Sequence, residues 1–182
     1  MKSAFAVWIT GLPASGKSTI TRALARELTS HGADAAVLES DALRQVLTPR
    51  PTYSDEERDT FYRSMVYIGS LLVAHGVPVI FDATANRRAY RAAARSGIER
   101  FIEVYVDCPL ETCVARDPKG IYRRARSGEA STVPGMQALY EPPERPDVVV
   151  AGSGDAAEGA RAILQMLQRR GYVSREPVST TP

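Results

Sequence analysis

Short apolar runs recur along the chain, each closing on a Gly or an Asp, with stretches of helical spacing between them. Residues 4–10 (AFAVWIT) form an unbroken apolar run ending at Gly11, the pattern of a parallel strand buried on both faces. The next stretch, 17–31, puts Ile20, Leu24 and Leu28 on one face and stops before Gly32, which predicts an amphipathic helix. A second strand is predicted at 35–39, leading to Asp41 and a short helix carrying Leu43, Val46 and Leu47. Thr48–Thr52 holds two prolines and reads as a loop. Ser54 followed by Glu57 is a capping-box signature for a long helix reaching about His75. Further on come a strand at 77–81 before Asp82, a basic helix at 87–97, a strand at 101–106 and a helix from Leu110. A strand at 147–150 and a helix at 156–169 close the pattern, whereas 117–146 carries many Arg, Gly and Pro residues without a clean period.

Strands alternating with helices at this spacing predict an α/β fold, a three-layer αβα sandwich around a five-stranded, mostly parallel sheet. One domain is expected over 1–170, with a lid at about 117–146, followed by a Pro/Ser/Thr-rich tail at 171–182 that is expected to be disordered. Ligands of such sheets sit at the carboxyl ends of the strands. Gly11, Asp41 and Asp82 all fall there.

Composition narrows the picture further. The 182 residues are 44% hydrophobic and 24% charged, ordinary for a globular protein with a real core. A formal net charge of +2 gives no footing for nucleic-acid or membrane binding, and no apolar run approaches the ~20 residues of a membrane span. Cys108 and Cys113 have neither the number nor the spacing of a zinc site and read as free thiols. With the chain opening directly on a strand, a cytoplasmic, reducing location is expected. His31 and His75 each precede a Gly at a helix end, where the helix dipole favours them.

The chemistry concentrates first in Gly11-Leu12-Pro13-Ala14-Ser15-Gly16-Lys17-Ser18, a G-x-x-x-x-G-K-[ST] pattern between a predicted strand and a predicted helix. Glycines and small residues let successive backbone N–H groups turn onto a β-phosphate, and the helix N-terminus adds its positive end. In this pattern Lys17 bridges β- and γ-phosphate oxygens and the Ser18 hydroxyl ligates Mg²⁺, with Thr19 next to them; ATP and Mg²⁺ are the expected cofactors. On the acceptor side, Asp41 is placed to take a hydroxyl proton or to cap the short helix, and Arg44 one turn later can hold an anion. Asp82 is placed to support Mg²⁺, a capping or turn role being the alternative.

The run Arg116-Asp117-Pro118-Lys119-Gly120-Ile121-Tyr122, continuing to Glu129, resembles the lid of adenylylsulfate (APS) kinases. Val106-Asp107-Cys108-Pro109-Leu110-Glu111 before it and Tyr140-Glu141-Pro142-Pro143-Glu144 after it are similar to the same family, so the likeness covers most of 6–150. The resemblance implies a P-loop, nucleoside-monophosphate-kinase-like fold and transfer of the γ-phosphate of ATP to the 3′-hydroxyl of APS. It implies catalytic roles for Lys17, Asp41 and Lys119, ATP contacts for Arg116, and acceptor contacts for Arg44, Arg58 and Lys119, with Tyr53 stacking on the acceptor base. A homodimer is implied as well. Departures gather on the acceptor side: the family's D-G-D reads Glu39-Ser40-Asp41, its asparagine after Arg58 is Phe61, and its second stacking phenylalanine falls on Val133. Its I-S-P-Y segment is replaced by Thr84-Ala85-Asn86-Arg87, which places Phe61 and Thr84 among the acceptor-side candidates. The stretch Asp82–Arg88 is similar to P-loop kinases acting on polynucleotide ends, tRNA or small metabolites. Three readings therefore stand: an APS kinase, a kinase for another nucleotide-like or anionic acceptor, and an ATP-binding regulatory protein with little phosphotransfer.

Overall fold

The computed structural model describes residues 4–178. Its elements run β1 (Ala6–Thr10), α1 (Lys17–Ser30), β2 (Ala36–Glu39), α2 (Ser40–Leu47), α3 (Asp55–Ala74), β3 (Val79–Asp82) and α4 (Arg88–Gly97). These are followed by β4 (Phe101–Asp107), α5 (Leu110–Arg116), α6 (Ile121–Arg126), β5 (Val148–Ala151) and α7 (Ala156–Arg169). The five strands form one sheet in the order β2-β3-β1-β4-β5, every neighbouring pair parallel. All carboxyl ends therefore share one edge, as the sequence pattern requires.

The central strand shows why its apolar run is unbroken. Alternation sends Val7 and Ile9 to the layer built with Ile20, Leu24 and Leu28 of α1 and Ile163 and Leu167 of α7. Ala6 and Trp8 go to the opposite layer with Phe61, Met65 and Tyr90 of α3 and α4. Trp8 stacks on Phe81 at 4.6 Å and donates its indole N–H to the Ala83 carbonyl at 3.2 Å, which satisfies the polar handle of a fully buried ring. Ser54 caps α3 by accepting the Glu57 N–H at 3.2 Å. His31 and His75 each bring Nδ1 to within 2.8 Å of a last-turn carbonyl, Glu27 and Leu71 respectively.

Gly69 lets α3 approach the sheet. A Cβ there would lie 2.1 Å from Cζ of Phe81, a ring already fixed by Trp8. Gly69→Ala is therefore expected to overpack this layer by about 1–3 kcal/mol and lower Tm by roughly 2–10 °C, read by differential scanning calorimetry. An unchanged Tm would contradict this packing.

The segment expected to be disordered from Gly171 is packed as far as it is described. Tyr172 stacks on Phe5 at 6.1 Å, Val173 is buried, and the Val178 N–H donates to the Ser30 carbonyl at 2.9 Å. Two apolar side chains that find a groove beside α1 override the polar composition around them. The remaining expected tail residues, 179–182, lie outside the described residues.

Candidate active site

The phosphate loop joins β1 to α1, and its shape follows from three small residues. Gly11 packs so closely that a Cβ would sit 2.7 Å from the Val106 carbonyl oxygen and 2.8 Å from Ser15 Oγ. Ala14 (φ 61°) and Gly16 (φ 103°) are left-handed, so the backbone winds round itself before α1 starts. A turn of this kind gathers N–H groups into an anion-binding concavity at the helix N-terminus. Inside it, Ser15 Oγ is buried with no hydrogen-bond partner among the described residues. Lys17 is buried and donates to the carbonyls of Gly11 (3.1 Å) and Leu12 (2.8 Å). Burial pulls its ammonium below the ordinary lysine value, against the attraction of Asp82 and Asp41.

Ser18 stands in the first turn of α1, and Asp82, 4% exposed, ends β3. The Asp82 carboxylate accepts no hydrogen bond from the described residues and keeps its lone pairs free close to the Lys17 ammonium. The described residues contain no group of three or more His, Cys, Asp or Glu able to cage a metal. A hydroxyl, one carboxylate and open positions suit Mg²⁺, which keeps waters and shares its coordination with phosphates.

Beside the loop lies a cleft of about 670 Å³. Its wall collects Pro13 of the loop, Asp41 and Arg44 of α2, Tyr53, Arg58 and Tyr62 around α3, Thr84 after β3, Lys119 before α6, and Val133. Seven of the acceptor-side departures and expectations are thus brought together from separate parts of the chain. Asp41 does not cap α2: the cap position is Glu39, and the Asp41 carboxylate instead pairs across the cleft with the Lys119 ammonium. That hydrogen bond is the main reason the Lys119 pKa is raised. Tyr53 is left-handed (φ 55°) and 40% exposed at the rim.

Two expected acceptor contacts are placed differently. Arg58 is 6% exposed and spends its guanidinium on the protein: Nε to the Tyr53 carbonyl (2.9 Å), Nη1 to Asn86 Oδ1 (3.2 Å) and Nη2 to the Thr132 carbonyl (2.7 Å). Phe61 is 1% exposed and off the cleft wall, lying beneath the Arg44 guanidinium. Arg116, expected on the ATP side, donates to the Gly152 carbonyl at 2.7 Å and so ties α5 to the turn after β5. Thr19 is exposed on the outer side of the loop's helix.

Residues not singled out in the sequence also build the site. Tyr62 lines the cleft and accepts the Ala85 N–H at 3.0 Å; its position four after Arg58 puts both on one face of α3, a readable signal. Asn86 accepts from Arg58 and donates to the Leu139 carbonyl at 3.0 Å, and its own carbonyl accepts the Glu141 N–H at 2.8 Å. Together with Arg58 it holds both legs of segment 132–141. The Tyr122 hydroxyl donates to the Pro13 carbonyl at 2.9 Å, joining α6 to the phosphate loop. Below this contact Cys108 and Cys113 are buried free thiols, Cys113 pushed up to about 12 mainly by burial, which keeps it protonated at neutral pH.

The family model described as Adenylylsulphate kinase matches residues 3–151. An adenylyl-sulfate kinase of Synechococcus sp. (strain JA-2-3B'a(2-13)) is 40% identical over 168 residues, covering 92% of this chain and 96% of that protein. The probable adenylyl-sulfate kinase of Archaeoglobus fulgidus is 41% identical over 146 residues, 80% of this chain and 94% of that protein. Among solved structures, the APS kinase of Mycobacterium tuberculosis in complex with AMPPNP and APS superposes with a TM-score of 0.86 at 34% identity, covering 92% of this chain and 99% of that one.

Proposed function

Because the chain belongs to the adenylylsulphate kinase family, we propose that it transfers the γ-phosphate of ATP to the 3′-hydroxyl of APS, yielding the 3′-phosphorylated adenylyl sulfate. It is an ATP-dependent phosphotransferase with a hydroxyl acceptor. The observation that carries the reading is the cleft in which Asp41, Arg44 and Lys119 meet beside the phosphate loop. ATP occupies the loop, with Lys17 between its β- and γ-phosphates. The Ser18 hydroxyl and the Asp82 carboxylate would hold Mg²⁺, which would supply charge neutralisation at the phosphates. Asp41 accepts the proton of the attacking hydroxyl. Lys119, an ammonium released from Asp41 as the acceptor enters, stabilises the transferring group. Positioning and charge stabilisation then account for the catalysis, with little covalent chemistry asked of the protein.

A coupled assay with ATP, Mg²⁺ and APS tests this, run beside other anionic and nucleotide-like acceptors. APS-dependent ADP release is expected; ADP release with another acceptor and none with APS would reassign the substrate.

Segment 117–146 acts as the lid that excludes water from the γ-phosphate. Limited proteolysis should cut it more slowly with a non-hydrolysable ATP analogue and APS present than without them. Equal rates in both conditions would remove the lid. The homodimer implied by the family resemblance belongs to the same reading, and one chain per particle in sedimentation equilibrium would exclude it. We place the reaction in the cytoplasm, in keeping with two buried free thiols; among the described residues no helix is long and apolar enough to cross a membrane. A labelled chain recovered outside the cytoplasmic fraction would contradict that placement.

A further inference from the structure

Phe61 is fully buried and makes no part of the cleft wall, yet the guanidinium of Arg44 lies directly over its ring. The Arg44 Cζ is 3.9 Å from the Phe61 centroid and 5.0 Å from that of Tyr53. Its side chain is only 11% exposed although it lines the cleft. The ring plane beneath it is set by neighbours: Phe61 packs edge-on against Tyr62 at 5.3 Å, and Tyr62 stacks on Tyr90 at 4.4 Å. Glu57 completes the arrangement, holding Arg44 Nη1 at 3.2 Å while accepting the Thr52 N–H at 2.6 Å and the Tyr53 N–H at 3.3 Å.

We propose that Phe61 is a positioning residue for acceptor binding: its ring holds the Arg44 guanidinium flat at the cleft, so that the guanidinium's edge meets an oxyanion of the acceptor. This deepens the reading of the acceptor given above and rests on it. A guanidinium attracted face-on to a ring keeps all its in-plane N–H donors. Among the described residues both hydrogen bonds donated by Arg44 use Nη1, to Glu57 and Thr48, while the Tyr62 hydroxyl lies beside the same guanidinium and leaves its remaining N–H groups on the cleft side to meet an acceptor. Two parallel donors on a fixed plane match two oxygens of a tetrahedral phosphate or sulfate group. Arg44 on a mobile side chain would lose part of that match to ordering entropy; the aromatic floor removes the loss before binding.

The test is a double-substitution cycle on the full chain, Phe61→Leu with Arg44→Lys, read as KM for APS, KM for ATP and kcat. Leu keeps the buried site apolar, and Tm confirms folding. Phe61→Leu alone is expected to raise KM for APS about 5- to 30-fold, with kcat and KM for ATP changed less than about twofold. In the Arg44→Lys background the same change should alter KM for APS less than about twofold, because an ammonium has no flat face to seat. Equal effects in both backgrounds, or a parallel rise in KM for ATP, would show a merely structural role and overturn the proposal. A second readout needs no acceptor: the Arg44 Nε–H resonance, identified by its loss in Arg44→Lys, should move downfield in Phe61→Leu as ring shielding disappears. An unmoved resonance overturns the stacking. Wild-type protein that ignores APS in the same assay rejects the acceptor instead, and the resonance then decides Phe61 on its own.

Discussion

Lys17→Ala is expected to reduce kcat/KM for phosphoryl transfer by at least about 10³-fold while leaving Tm unchanged or slightly higher. Activity falls because the proposed role of Lys17 is to neutralise charge between the β- and γ-phosphates inside a buried loop, where no other ammonium substitutes for it. Stability is expected to hold because the same burial works against the folded state. Desolvation lowers the Lys17 pKa, so the folded chain binds this proton less tightly than the unfolded chain does. That penalty is complete below the lowered folded pKa, shrinks as pH rises from there, and is gone above the ordinary lysine value. At neutral pH it is therefore present and is removed by Ala, against the loss of the two hydrogen bonds to Gly11 and Leu12. Steady-state kinetics and thermal denaturation of one preparation check both halves. A turnover within tenfold of wild type would reject the assignment, and a large fall in Tm would reject the account of its electrostatics.

Asp41→Asn is expected to lower kcat about 10²- to 10⁴-fold with little change in KM for ATP. Asn keeps the size of the side chain and still reaches Lys119, but it accepts no proton from the acceptor hydroxyl. Asp41 sits on α2 and is no part of the phosphate loop, so the loop backbone and Lys17 that bind ATP stay in place. Pre-steady-state measurement of the phosphoryl-transfer step separates this from slow product release. A kcat retained within about twofold would mean that Asp41 orients Lys119 and that another group takes the proton.

Particular elements show how much was legible beforehand. The five strands and the helices around them, α6 excepted, agree with the apolar pattern, because burial on both sheet faces leaves an unmistakable run in β1 and a clear face on α1; α6 lies in the stretch 117–146 that showed no clean period. Arg58 and Phe61 were less readable. Three residues apart on α3, they both turn inward, Arg58 to Asn86 and Thr132, Phe61 to the underside of Arg44. Neither orientation is a property of α3 alone. The position of Tyr172 and Val173 was hidden for a related reason: composition reports the average polarity of a segment, and two apolar anchors suffice to dock it.

The phosphate loop is what the sequence determined by itself. Its glycines and small residues, its lysine and its hydroxyl are contiguous, so local backbone geometry and the start of one helix produce the whole anion cradle. The acceptor side was decided only by tertiary structure. Asp41, Arg44, Tyr53, Thr84, Lys119 and Val133 reach one cleft from segments far apart in the chain. Whether each side chain faces the cleft or the protein depends on which neighbours pack against it, and burial and pairing across segments leave no local pattern to read.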